Sequence, residues 1–247
     1  MILGISTGCF WQSGLPELKI LRFLRRLPEL DAIELVFAFP EELFDFRPKR
    51  EDIAFLHSKK HVSLHAPFNE VEYKNNAKSK KLLAALNSLA LKCEAENVVF
   101  HAHTIKDFSL FEGIDFAPLA ENLVSKKGME RLVSVQQCKD FLSSHENFGF
   151  CFDVGDSLAE RIKPKDFFAL KNRLKEAHIH FPSLEKGKLK PHCLPSKTGK
   201  KFLDEVKAIP FPDVPLIFEG YFPSAEQDIA TKEIELFKTL MDCKSKI

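Results

Sequence analysis

The chain has 247 residues, 45% hydrophobic and 29% charged, and its 36 Lys and Arg against 35 Asp and Glu leave a formal charge of +1. That composition is the one expected of a soluble globular protein, and it excludes the global basic field that marks nonspecific nucleic-acid binding. No stretch approaches the ~20 apolar residues of a membrane span, and the N-terminus has no basic segment ahead of a signal-length apolar run, so a cytoplasmic location without membrane attachment is expected.

The predicted elements alternate. Ile2 to Ser6 reads as a first strand, followed by a helix opened by Ser13-Gly-Leu-Pro16 with apolar residues at Leu18, Ile20, Leu21, Phe23 and Leu24. Ala32 to Phe37 is the second strand, with Glu34 inside it as either a barrel-interior group or a paired structural one. Phe39 to Pro48 is too rich in Pro and Phe for a clean helix, and helical spacing resumes over Arg50 to Lys59. His61 to His65 is the third strand. Lys78 to Glu94 is the clearest helix, with Leu82, Leu83, Leu86, Leu89, Ala90 and Cys93 on one face and its Lys cluster exposed.

Val98 to His101 is the fourth strand. The segment after it, Thr104 to Asp115, is short for a full crossover helix and predicts a turn or a single helical turn. Ala117 to Asn122, Phe148 to Asp153, Glu176 to Phe181 and Pro215 to Tyr221 supply the remaining strands. Helices are predicted over Met129 to Ser144, Pro164 to Leu174, Lys200 to Ile209 and Ala225 to Cys243, and a long polar loop over Pro182 to Gly199. Eight strands alternating with helices, in roughly the 250 residues typical of such folds, predict one α/β domain, a parallel (β/α)8 TIM barrel with an irregular fourth crossover.

Two composition features fit this. The 24 Phe against one Trp and two Tyr read as core filling, and the six Cys, scattered without a CxxC pair, read as buried free thiols of a reducing compartment.

The strands end on groups that bind metals or move protons: His65, His101, Glu121, Asp153, His180 and Glu219. Active sites of parallel barrels lie at these carboxyl ends. Imidazoles and carboxylates crowded into one mouth need a compensating cation, and a mixed His and Asp/Glu set suits Zn, Mn, Co or Fe better than Mg. His178 shares the face of His180 one layer deeper, as a hydrogen-bonded core histidine, and His103 is a spare ligand near the loop edge. Asp156 is placed to support His192 or an ion. No role follows for His57, His61 or His145.

His-Ala-Pro at His65, Phe-His at His101, Glu-Asn at Glu121, Phe-Asp at Asp153, Ile-His at His180, the loop His192 and Phe-Glu at Glu219 resemble, in order, the metal motifs of the xylose isomerase-like TIM barrel superfamily, and within it endonuclease IV. The resemblance covers the chain from first strand to last. It implies one ion held by His65, His101 and Glu121, and a second by Glu121, Asp153, His180 and Glu219, with Glu121 bridging. Asp156 stands where that family has a His and Lys190 where it has an Asp, with only His192 unaltered, which implies two ions per chain rather than three, zinc first and Mn or Co as alternatives.

Such a pair of ions implies phosphoester hydrolysis on damaged, abasic-like DNA or a small sugar phosphate. Lys190, with Lys186, Lys188 and Lys197, would then add phosphate affinity, unless these lysines are a solvated loop. The alternative is a one-metal sugar isomerase or epimerase in which Glu121 and Glu219 move the proton. A barrel that only binds is the third reading. No protein partner is evident from the sequence.

Overall fold

The computed structural model describes residues 1–27, 30–125, 132–185 and 188–242. In chain order its strands are β1 (Leu3–Ser6), β2 (Ala32–Val36), β3 (His61–His65), β4 (Asn97–His101), β5 (Ala117–Glu121), β6 (Gly149–Asp153), β7 (Leu174–Ile179), β8 (Phe181–Glu185), β9 (Lys188–Cys193) and β10 (Leu216–Phe218). Strands β1 to β7 and β10 pair in parallel and close into the expected eight-stranded barrel, with Ile5 of β1 opposite Phe218 of β10 at the seam. Its helices are α1 (Glu17–Leu24), α2 (Pro40–Asp45), α3 (Arg50–His57), α4 (Ala77–Cys93), α5 (Val135–Ser144), α6 (Val154–Ala159), α7 (Lys200–Lys207) and α8 (Gln227–Asp242). No described helix is long and apolar enough to cross a membrane.

Local chemistry explains the helix starts. Asn76 accepts a hydrogen bond from the amide of Ser79 at 2.8 Å at the head of α4, and Ser134 does the same for Gln137 at 3.2 Å at the head of α5. Pro40 takes the first position of α2, where its missing N–H costs nothing, and Glu42 accepts from the amides of Ala38 and Phe39. That short helix corrects the expectation of irregular chain over Phe39 to Pro48: the Pro density starts a helix there.

The fourth crossover is irregular as expected. Two 3-10 turns, Ala102–Thr104 and Phe108–Phe111, replace a helix between β4 and β5. Aromatic rings fill the volume a helix would cover: Phe111 lies edge-on to Phe100 at 5.0 Å and to Phe148 at 5.0 Å, and Phe116 stacks on Phe100 at 6.1 Å. Here the surplus of Phe does its packing.

Three further expectations are corrected. The segment from Pro164 is a 3-10 turn ending at Leu170, and β7 begins at Leu174, where a helix was expected to continue. Of the helix expected from Met129, the described part starts at Val135, and residues 126–131 lie outside the described residues. The loop expected over Pro182 to Gly199 is mostly the antiparallel hairpin β8–β9. Alternating residues in Lys188-Leu-Lys-Pro-His-Cys193 suit a strand, and the Lys density masks that period. Cys9, Cys93, Cys138, Cys151 and Cys193 are buried free thiols, and Cys243 lies outside the described residues.

Alternation along the strands sorts the barrel interior into layers. His65, His101, Glu121, Asp153, His180 and Glu219 end or follow their strands and form the upper layer. Ser63, Val99, Leu119, Cys151, His178 and Ile217 stand two residues earlier on the same strands, and all six are fully buried; the register sets His178 directly opposite Asp153 and Cys151 opposite Glu121.

Candidate metal centre

Three sets of donor atoms converge at the carboxyl ends of the strands. In the first, Nε2 of His65 and Nε2 of His101 each lie 3.3 Å from the same atom, Oε2 of Glu121. Two donors each about 2.0–2.2 Å from a tetrahedral zinc stand about 3.3 Å apart, so this spacing fits a shared ion. The register places these groups: His101 of β4 is directly opposite Glu121 of β5. Phe68, in the loop after His65, stacks on the His101 ring at 4.5 Å and fixes its plane.

In the second set, donor atoms of Glu121, Asp153, His178 and Glu219 lie within 4.8 Å of one another. The third unites Asp156, His180 and His192. The sequence reading assigns His180 to the second set; the structure groups it with Asp156 and His192, and brings His178 beside Glu121 and Glu219. His180 nonetheless touches the second set, because its Nε2 lies 3.0 Å from Oδ1 of Asp153. That nitrogen is buried and makes no directed hydrogen bond. A ring nitrogen beside a carboxylate but not aimed at it has the arrangement of two ligands facing a common cation.

The hairpin explains why His192 is here. β8 starts one residue after His180, and β9 returns antiparallel with Cys193 opposite Phe181, so His192 is carried back over the site. Its amide donates to Nδ1 of His180 at 3.0 Å, and its ring stacks on His180 at 3.9 Å and on Tyr221 at 4.3 Å. Its backbone takes φ 54°, a left-handed conformation that costs a non-glycine residue energy.

Asp153 is held from three sides. Its side chain accepts from the amide of Asp156 at 2.6 Å, starting α6. Its backbone N–H and carbonyl are both clamped by the side chain of Asn122, at 2.8 Å each. Asn122, Phe68, Tyr221 and Gly155, whose backbone packs against the His180 ring, are residues of the candidate site to which the sequence reading gives no role. Asn122 directly follows Glu121, and that adjacency was the available signal; the other three act by packing and leave none.

Electrostatics follow from burial and crowding. Burial pushes the Glu121 carboxyl up, but the charge of His178 and hydrogen bonds from His101, His178 and His65 outweigh it and hold the group well below the usual carboxylate range. Glu219 is driven by burial, against the attraction of His178 and with Glu34 and Glu121 adding repulsion, up to about 8. Burial likewise lifts Asp153 to about 6. His192 is pushed down to about 3 by burial and the neighbouring His180. A divalent cation relieves this excess of buried carboxylates directly.

Below the mouth lies a second polar layer. Glu176 accepts from Ser63 Oγ at 3.0 Å and contacts His61 Nε2 at 2.7 Å and His178 Nε2 at 3.3 Å. His61, given no role by the sequence, is therefore a partner of a fully buried carboxylate. Glu34 faces the barrel interior 3.1 Å from His178 Nε2, and both its oxygens are buried without a directed hydrogen bond.

Above the donors opens a cavity of about 950 Å³. Its floor includes His65, His101, Glu121, Asp153, Asp156 and Glu219; one wall, from α1 and α2, adds Glu17, Glu41, Glu42 and Asp45. Eight carboxylates thus line it, and among the described residues no Lys or Arg does. Lys190 and Lys197 are exposed and outside the lining. Lys186 lies outside the described residues, as does the side chain of Lys188. His103 is half-buried with its ring 5.6 Å from His101, also outside the lining.

No protein-family profile matches the sequence, and no curated protein matches it. Solved structures match along its whole length. The IOLI protein, solved with a binding zinc atom, is 15% identical with a TM-score of 0.70, covering 100% of each chain. D-allulose 3-epimerase from Methylomonas sp., in complex with D-allulose, is 14% identical with a TM-score of 0.64 over 97% of this chain and 96% of its own. Endonuclease IV from Thermus thermophilus is 14% identical with a TM-score of 0.66 over 98% of this chain and 99% of its own. The fold is therefore shared with these structures, a closed parallel (β/α)8 barrel, and endonuclease IV is one of several neighbours.

Proposed function

We propose that this chain is a divalent-metal-dependent isomerase or epimerase acting on a neutral polyhydroxy carbonyl compound. The observation that carries this reading is the cavity lining: eight carboxylates, with no Lys or Arg among the described residues. A phosphate monoester or diester brought there meets carboxyl groups and, among the described lining residues, no Lys or Arg to bind it, whereas hydroxyl groups find acceptors on the floor and on the wall formed by α1 and α2.

A divalent ion bound at these donors supplies Lewis acidity that polarises neighbouring substrate oxygens. The chain's own groups do the rest. Glu121 and Glu219 stand on β5 and just after β10, separated in the ring by β6 and β7, so a substrate between them meets a carboxylate on either side. The Glu219 side chain is 13% exposed against 4% for Glu121. Glu219 is thus the more open to substrate and takes the proton-moving role, with Glu121 as the anchored ligand. Phe68 and Tyr221 stack on the His101 and His192 rings and hold their planes.

The test is solvent exchange. Ketoses and aldoses incubated with Mn- or Co-loaded protein in D2O are expected to exchange the α-proton, and Glu219→Gln is expected to abolish exchange.

A second reading, two-metal phosphoester hydrolysis, is favoured by the separate His65, His101 and Glu121 set, which a single ion at Asp153 and Glu219 does not need. Cleavage of an abasic-site duplex with zinc present, together with no α-proton exchange on any neutral sugar, would establish it in place of the first. Two equivalents of metal per purified chain would point the same way, and one equivalent to the isomerase.

A further inference from the structure

We propose that the rim of the cavity is a subsite for a neutral aromatic ring, so that the substrate is a polyhydroxy carbonyl compound carrying such a ring at the end remote from its carbonyl group. The observation behind this is Trp11. It is the only Trp of the chain, it lines the cavity, and 61% of it is exposed. Phe39, 37% exposed at the head of α2, shares the lining, and half-buried Leu15 and Leu18 complete an apolar patch there. Large apolar side chains left together in water at the mouth of a pocket mark a binding surface.

The indole is held outward by its backbone. Trp11 belongs to the 3-10 turn Thr7–Ser13 after β1, and its carbonyl accepts from the amide of Gly14 at 3.2 Å, where φ 66° closes the turn. Phe10 beside it is wholly buried and stacks on Phe222 at 4.7 Å, and the Phe222 amide donates to the Cys9 carbonyl at 2.8 Å. Trp11 itself lies edge-on to Tyr221 at 5.7 Å, and Tyr221 stacks on His192. A row of rings thus runs from the candidate donor His192 to the rim.

Size points the same way. A cavity of about 950 Å³ is near the upper end of the ~300–1,000 Å³ range of pockets that take drug-sized ligands. A single sugar at the donors leaves the rim to water, whereas a substrate that reaches Trp11 and Phe39 covers it. Exposed Glu41 and Asp45 on the same wall disfavour an anionic ring. A neutral ring gains the stacked and edge-on contacts an indole offers.

The proposal takes the polar half of the substrate from the isomerase reading, and its test separates the two. The 6-O-benzyl and 6-O-methyl ethers of D-fructose, D-allulose, D-tagatose and D-sorbose are titrated into the purified protein, followed by calorimetry and by Trp11 emission, and then incubated with it in D2O. At least one benzyl ether is expected to bind about tenfold tighter than its methyl counterpart and to quench or blue-shift the indole. Trp11→Ala and Phe39→Ala, with folding checked by circular dichroism, are each expected to cut that ratio by about threefold.

No benzyl advantage in any pair would overturn the proposal. So would an advantage unchanged in both variants, which places the ring elsewhere. Trp11 emission that shifts to the blue as the free protein is concentrated would overturn it too, since a second copy of the chain then covers the rim. A benzyl advantage without α-proton exchange leaves the subsite standing and strikes the isomerase reading; exchange on the methyl ethers without the advantage does the reverse.

Discussion

A Cβ built on Gly155, in the first turn of α6, would lie 2.0 Å from Cε1 and Nδ1 of His180. The ring of a candidate metal donor therefore rests directly on glycine backbone, an approach closed to any other residue. Gly155→Ala must push the ring or the helix aside. The expected cost is about 1–3 kcal/mol of stability, accompanied by weaker metal binding as His180 leaves Asp153 and Asp156. Thermal melts and elemental analysis of the same preparation check both parts; full metal content at wild-type stability would contradict the contact.

Glu121 joins two donor sets, so its substitution should act on metal before anything else. Glu121→Gln is expected to lower the metal content of protein purified without chelator. Metal added to the wild-type apoprotein at a hundred times its dissociation constant should stabilise it by about 2.7 kcal/mol, and a chelator should reverse that gain. Unchanged metal content in the variant would remove Glu121 from the ligand set.

Away from the site, Asp52 is wholly buried and accepts from Arg22 at 3.1 and 3.0 Å and from Arg25 at 3.3 Å. Hydrogen bonding from Arg22, aided by the Lys49 amide, holds its carboxyl below the usual range despite burial. A depressed carboxyl contributes stability above its unfolded value of about 3.9, and the contribution is lost as pH falls through the lower folded value. Asp52→Asn should cost about 2 kcal/mol at pH 7, with the difference from wild type shrinking in acid. Urea melts from pH 7 to pH 2 measure it.

Glu17 has the opposite sign. Burial, against a hydrogen bond from Thr7 and with Glu42 nearby, raises it to about 8, and its Oε1 is buried without a partner. A carboxyl raised above its unfolded value of about 4.3 supports folding while protonated, and that support fades as pH climbs toward 8. Glu17→Gln should therefore gain stability relative to wild type between pH 5 and 8, read from melts across that window. A constant difference would mean that Glu17 is ionised throughout.

Much of this architecture is legible in the sequence. β-branched and aromatic runs alternating with 3.6-residue periodicity specify parallel strands and crossovers, because strands covered on both faces must be apolar along their length. The barrel, the short fourth crossover and the ends of β3 and β4 at His65 and His101 follow from that pattern. Polar residues at strand ends mark the mouth for the same reason: they are the first positions past the apolar run. The hairpin β8–β9 escaped the reading because its lysines obscure a two-residue period. Which donors meet was decided only by the tertiary structure. His178 and His180 share one face of one strand, and sequence cannot say that the deeper ring reaches Glu121 while the upper one turns to Asp156 and His192. The acidic cavity wall is also beyond it, since Glu17, Glu41, Glu42 and Asp45 come from two helices that meet over the mouth only when the barrel closes. Spacing along the chain sets which side of a strand a group occupies; distances between strands, and hence the chemistry, exist only once the ring is complete.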